Sequence, residues 1–201
     1  MHDNPFQKAQ KPDDSTPEEG ASMKNFVRAS GVLMVFLLTV SFMPCLAGAA
    51  EKTPAEVKAV AVKAKGIAEN CVKKLNGAWG DQHVALIASK KGKEFADYES
   101  MRTVLKGLVA ESGAPFIYAL IPKGAVDKDP FVISVDGSGT DDCGKENEWE
   151  AAFAATWKGA ATAGAEAWKD DDGTPMVSGY APILDSKGSV VAILGVDCPI
   201  P

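Results

Sequence analysis

The sequence predicts an α+β domain built on an antiparallel sheet, and three features carry that reading. A capped, amphipathic run opens the folded part, strand-like segments come as two close pairs, and neither a Gly-x-Gly-x-x-Gly turn nor a phosphate loop nor an internal repeat marks a parallel architecture. Two hairpins demand antiparallel pairing, and the helices between them are left to cover the sheet.

The first element starts at Thr53-Pro54-Ala55-Glu56, where an N-cap residue, a proline at the first helical position and a glutamate placed to reach back form a capping box. Val57, Val60, Ala64, Ile67, Cys71 and Leu75 recur at steps of three or four, so one apolar stripe runs along a helix of about six turns that Gly77 ends. That narrow stripe either packs along a sheet or pairs with a copy of itself. Residues 81–89 carry Val84, Leu86 and Ile87, whose spacing fits a short strand or another helical turn equally. Residues 95–112 read as a helix with Met101, Val104, Leu105, Leu108 and Val109 on one face, stopped by Gly113 and Pro115.

Residues 116–121 form a strand bounded by prolines, and residues 131–136 a second one close enough for a hairpin. Between Gly137 and Pro175 the composition turns to Gly, Asp and Ala with three of the four tryptophans. There Trp149, Phe153 and Trp157, spaced by four, place three rings on one side of a short helix. Residues 176–184 and 189–196 are two strong strands joined by Asp185-Ser186-Lys187-Gly188, with Asp opening a type I turn and Gly supplying the left-handed residue.

An apolar share of 46% and a charged share of 24% are those of a globular protein with a real core. The formal charge of -6 argues against the broad basic surface that phosphate backbones require, so nucleic acid is excluded as a partner. Lys24 and Arg28 precede an uncharged run, residues 29–46, followed by Ala47-Gly48-Ala49-Ala50, which is the order of a secretory signal peptide cleaved after Ala49 or Ala50. The alternative is an uncleaved tether, because the run approaches the roughly 20 residues that span a bilayer. The domain organisation expected is thus a polar extension over residues 1–22, a signal segment over 23–50 and one domain over 51–201. Met23 beside Lys24 marks a second possible start of translation. Cys45 would leave with the signal, and Phe42-Met43-Pro44 before it lacks the small residues of a lipoprotein site. Cys71, Cys143 and Cys198 remain, enough for at most one internal disulfide.

Trp168-Lys169-Asp170-Asp171-Asp172-Gly173, then Ser178-Gly179-Tyr180-Ala181-Pro182-Ile183, Asp185-Ser186-Lys187-Gly188 and Ile193-Leu194-Gly195-Val196-Asp197 together resemble the closing half of Cache-type sensor domains. These are also called PDC domains, the extracytoplasmic PAS-like sensors of chemoreceptors, sensor kinases and diguanylate cyclases. Tyr98, Leu105 and residues 116–120 look like the matching first half. The resemblance implies a PAS-like antiparallel five-stranded sheet, a long N-terminal helix that often dimerises, a ligand pocket between sheet and crossover, and a membrane-bound signalling partner. It also implies a ligand that is an amino acid, a carboxylate, an amine or another small solute. The chain departs from the family in two places. It stops at Pro199-Ile200-Pro201 where a transmembrane helix usually follows, giving the expectation of a free periplasmic or secreted module, and it lacks the Arg-Trp-Tyr run of the amino-acid-binding subgroup.

Six residues are the candidate ligand contacts. Asp136 and Asp197 each end a β-branched strand, where a carboxylate can face a cavity, and the resemblance places Asp197 at the terminal-strand position that receives an amine or hydroxyl donor. Tyr118 and Tyr180 offer a ring and one hydroxyl. Trp149 and Trp157 could wall a pocket or cage a cation, although apolar helical spacing signals core packing first. No cofactor is expected. The Asp170-Asp171-Asp172 run lacks the alternating ligands, Gly and distal Glu of a calcium loop, and no Cys-x-x-Cys or Cys-His cluster suggests another metal. His83 is the only histidine of the expected mature chain and no nucleophile motif accompanies it, so binding rather than catalysis is the expectation. A protein-interaction module acting through the first helix is the alternative.

Overall fold

The computed structural model describes residues 52–75, 77–140 and 142–201. The expected extension and signal segment lie outside the described residues.

Helix α1 spans Pro54–Lys74, and its capping box forms as the sequence requires: the Thr53 hydroxyl accepts from the Glu56 amide while the Glu56 carboxylate accepts from the Thr53 amide at 2.8 Å. Its buried line is Ala61, Ala64, Ala68 and Cys71, with Val57, Val60 and Ile67 only half-buried at its flanks. The small residues win the centre because α1 lies almost in contact with a strand backbone. A Cβ at Gly179 would sit 2.1 Å from the Lys65 amide nitrogen and 2.3 Å from the Ala64 carbonyl carbon. Gly77 does not stop this helix. It opens α2, Gly77–Ser89, which settles residues 81–89 as helical. Gly77 and Gly80 are needed for approach: a Cβ at Gly80 would meet the Leu184 carbonyl oxygen at 2.1 Å.

A 3-10 turn at Gly92–Glu94 leads into α3, Tyr98–Ser112, so the helix starts three residues later than the spacing suggests. Tyr98, Met101, Leu105 and Leu108 are its buried face, and Val104 is exposed. Gly113 ends it in the left-handed conformation at φ 70°.

The strands are β1 Phe116–Pro122, β2 Phe131–Asp136, β3 Glu146–Asn147, β4 Thr162–Ala163, β5 Trp168–Lys169, β6 Pro175–Leu184 and β7 Val190–Pro199. All pairings are antiparallel, in the order β3-β2-β1-β7-β6-β4, with β5 also on β6. The sheet therefore has seven strands and not five. Three are two-residue pieces by which the crossover touches the edges, too short to leave an alternating pattern. Helix α4, Ala151–Trp157, belongs to this crossover. The β6–β7 hairpin turns as expected, with Gly188 at φ 82° and the Asp185 carboxylate accepting from the Lys187 and Ser189 amides.

Alternation along the strands divides the core in two. Ile117, Ala119, Val135, Ala181, Ile183, Leu194 and Val196 face α1, α2 and α3. Tyr118, Leu120, Phe131, Ile133, Tyr180 and Ile193 face α4.

Candidate functional site

The α4 face carries the polar groups that packing does not explain. Tyr118 lies across Gly195 of β7: a Cβ there would stand 2.4 Å from Cε2 of the ring, so only glycine lets the ring lie flat. That posture carries the Tyr118 hydroxyl to Asp197, two residues further along β7, where it donates to Oδ1 at 3.0 Å. Asp197 is 3% exposed. Burial pushes its carboxyl up to about 7, hydrogen bonds from Ser178 and Tyr118 pull the other way, and the negative charges of Glu150 and Asp136 push it up further.

Ser178 faces Asp197 across the β6–β7 ladder. The Trp168 indole donates to the Ser178 hydroxyl at 3.2 Å. Tyr180, two residues on and therefore on the same face, donates to Glu150 Oε1 at 3.0 Å. Glu150 is raised by burial, with the Tyr180 bond opposing and Glu166 adding to the rise. Both phenols are raised well above their ordinary range, first by burial and then by the carboxylates beside them. The result is a buried, carboxylate-rich cluster that strongly disfavours further negative charge.

Tyr118, Tyr180 and Asp197 are thus brought together. Trp157 reaches them only through rings: it meets Phe131 edge-on at 6.0 Å, Phe131 meets Phe153 at 4.8 Å, and Phe153 meets Tyr180 edge-on at 5.0 Å. These rings pack between the sheet and the crossover, where the resemblance implies a ligand pocket. Trp149 precedes α4, so it does not share a stripe with Phe153 and Trp157. Its indole donates to the Val126 carbonyl at 3.0 Å and the residue is 39% exposed. Asp136 lies on the same face, paired across the ladder with Tyr118, but its carboxylate is engaged by the loop after β2. It accepts from the Ser138 amide at 2.8 Å, the Asp142 amide at 2.7 Å and the Ser138 and Thr140 hydroxyls.

Ser178, Glu150 and Trp168 are the members that the sequence reading missed. Period-two alternation from Tyr180 could have found Ser178. Nothing local marks Glu150, which precedes α4 and meets Tyr180 only through the fold. Asp170 braces a turn, its carboxylate accepting from the Asp172 and Thr174 amides. Cys71, Cys143 and Cys198 are free thiols. Among the described residues no cluster of His, Cys, Asp and Glu could hold a metal ion, and no helix is long and apolar enough to cross a membrane.

No family model matches the chain, and neither does any curated protein. Solved structures do. The chain is similar to the ligand-binding domain of the Campylobacter jejuni chemoreceptor Tlp3 in complex with 4-methylisoleucine, at 14% identity over 74% of this chain and 61% of that one, with a TM-score of 0.34. It is also similar to a methyl-accepting chemotaxis protein X, at 19% identity over 72% of this chain and 60% of that one, with a TM-score of 0.34. The chain spans about three-fifths of the length of these structures. Likeness at this distance assigns neither ligand nor partner.

Proposed function

We propose that residues 51–201 are an exported sensor domain that binds a small molecule bearing an ammonium or another strong hydrogen-bond donor, following a signal segment at residues 23–50. The single observation that carries this is Asp197: a carboxylate 3% exposed, held by Tyr118, with carboxylates as the charges that act on it. A buried acid of this kind costs stability unless a cation or donor compensates it, which is how a recognition site differs from a structural contact. Of the ligand classes that the sequence suggests, the amine end of an amine or amino acid fits this charge, and a simple carboxylate does not. Tyr118, Asp197, Ser178 and Tyr180 make the polar end of the site and Trp157 backs its ring wall. Asp136 shapes the adjoining loop and adds negative field, and Trp149 holds the β1–β2 connection. Rings pack over this cluster, so a ligand enters with opening of the crossover at residues 160–174, where the Trp168 indole is the latch on Ser178.

The alternative, a docking module acting through the apolar stripe of α1, is disfavoured because the centre of that face, Ala61, Ala64, Ala68 and Cys71, is already buried as α1 packs on β6 and β7. Thermal melting of the purified chain with amines, amino acids and carboxylates at millimolar concentration tests the proposal, since a ligand that binds only the native state raises the midpoint. Amine-bearing compounds should raise it in the parent and fail to do so in Asp197→Asn. A panel without effect, or a shift that persists in Asp197→Asn, refutes the assignment.

A further inference from the structure

On the opposite face of the sheet, α1 lies over β6 and β7 while α3 lies over β1 and β2. Their C-terminal halves leave a cavity of about 210 Å³ between them. Ile67, Cys71 and Leu108 form its apolar floor, spaced so that one face of each helix contributes. Cys71 and Leu108 are each 4% exposed, and the Cys71 thiol is free. At the rim Lys74 of α1 and Glu111 of α3 form an ion pair that bridges the two helices over the opening, beside Asn70. The cleft opens to solvent and Asn70, Lys74, Glu111 and Ser112 line it beside the three apolar side chains, so it suits a small ligand with a polar head rather than a wholly apolar one.

We propose that this cleft is a second small-molecule site, separate from the Asp197 cluster and independent of its assignment. Its ligand has a short branched aliphatic body and a head group that both donates and accepts hydrogen bonds, as a primary carboxamide or a zwitterion does. The body replaces water on Ile67, Leu108 and Cys71. The head group meets the two signs of the rim at once, donating to Glu111 and accepting from Lys74. A ligand of one charge alone satisfies one rim residue and repels the other. Because the ligand touches both helices, it braces α1 against α3.

The test uses 3-methylbutanamide as the probe on the full chain, followed by amide NMR and by the rate at which Cys71 reacts with a thiol reagent, with Cys45, Cys143 and Cys198 replaced by serine. Saturable shifts confined to residues 67–75 and 107–113, with at least fivefold slower labelling of Cys71, are expected. Leu108→Trp and Cys71→Met each fill the floor from a different side, and in whichever of them keeps the parent's spectral dispersion the shifts should vanish. 3-Methylbutanoate and 3-methylbutylamine should each bind at least tenfold more weakly. Absence of saturable shifts, or shifts that survive in a folded filled variant, overturns the site. Equal binding by either singly charged analogue overturns the head-group assignment.

Discussion

The face of the sheet under α1, α2 and α3 is covered mostly by small and aliphatic side chains, with Trp79 and Tyr98 among them, whereas the face under α4 is covered by rings and carboxylates. On the first face the buried imidazole of His83 is stored neutral. Ser134, displaced toward α2 by the bulge that shifts the β1–β2 register, donates its one hydroxyl proton to the Ala119 carbonyl at 3.0 Å. The His83 Nε2–H must therefore donate to Ser134 Oγ, at 2.8 Å, which leaves Nδ1 as a bare acceptor. Burial alone takes the imidazole down to about 4, and its ring stacks on Trp79. On the second face Asp197 is stored in the form that resists ionisation, surrounded by other acids. The difference teaches that burial by itself is not a mark of function. His83 is neutral and bonded through Nε2 to Ser134, while the acids around Asp197 make its own charge harder to hold.

The largest effect expected from disturbing this arrangement is steric and belongs to the helix face. Gly179→Val drives two methyl groups into the backbone of α1 and should cost more than about 3 kcal/mol, read as a lost or strongly lowered cooperative melt. Should the variant melt like the parent, α1 does not lie on β6 as described.

The next effect separates the faces by pH. His83 has a folded value near 4, below its unfolded value near 6.5, so the unfolded chain binds more protons between them and the His83 contribution is lost as pH falls from about 6.5 to 4. Asp197 has a folded value near 7, above its unfolded value near 3.9, so here the folded chain binds more protons and stability is lost as pH rises from about 4 to 7. The two slopes oppose each other across nearly the same window, worth up to roughly 3 kcal/mol for His83 and roughly 4 kcal/mol for Asp197 at ~1.36 kcal/mol per unit. Denaturant titrations from pH 4 to 8 should show a nearly flat profile for the parent as far as these two groups set it. Asp197→Asn should gain stability near pH 8 and expose a fall toward acid, and His83→Gln should expose the opposite slope. Parallel profiles for all three proteins would remove the contrast between the faces.

A smaller effect, about 1–2 kcal/mol, is expected for Ser134→Ala, which removes the acceptor of the His83 N–H and leaves that donor buried without a partner. Hydrogen exchange should report it first as faster opening of α2, with the β6–β7 hairpin unchanged. The smallest belongs to Val62→Lys on the outer side of α1, where the side chain is 58% exposed and the midpoint should move by less than about 0.5 kcal/mol. A larger loss would reveal that this surface is covered by something.

Local chemistry made much of the fold legible. The Thr53–Glu56 box, the Gly113 stop, the β-branched strands and the Asp185–Gly188 turn each act within a few residues, so their outcome is written where they stand. Gly77 was misread because a glycine that ends a helix and a glycine that lets the next helix touch a turn look alike in sequence. Of the stripe of α1, Ala64, Cys71 and Leu75 are buried as the spacing predicts, while Val57, Val60 and Ile67 sit half-buried at its flanks because the close approach to Gly179 favours small side chains at the centre. Of the buried polar cluster, the strand residues Tyr118, Tyr180 and Asp197 are legible, since alternation and strand ends mark them. Trp149 was grouped with Phe153 and Trp157 by its spacing, which has meaning only if the helix extends that far, and α4 begins two residues later.

The sequence by itself determined the class of fold, the order of helices and hairpins and which strand residues share a face, because capping, alternation and turn geometry depend on near neighbours. Only the tertiary structure decided that Gly195 lets Tyr118 lie down to reach Asp197, that Glu150 joins Tyr180, and that His83 finds Ser134. Each of these meetings joins segments distant along the chain, and the strength of a buried charge or hydrogen bond depends on the distances and burial that arise when they come together.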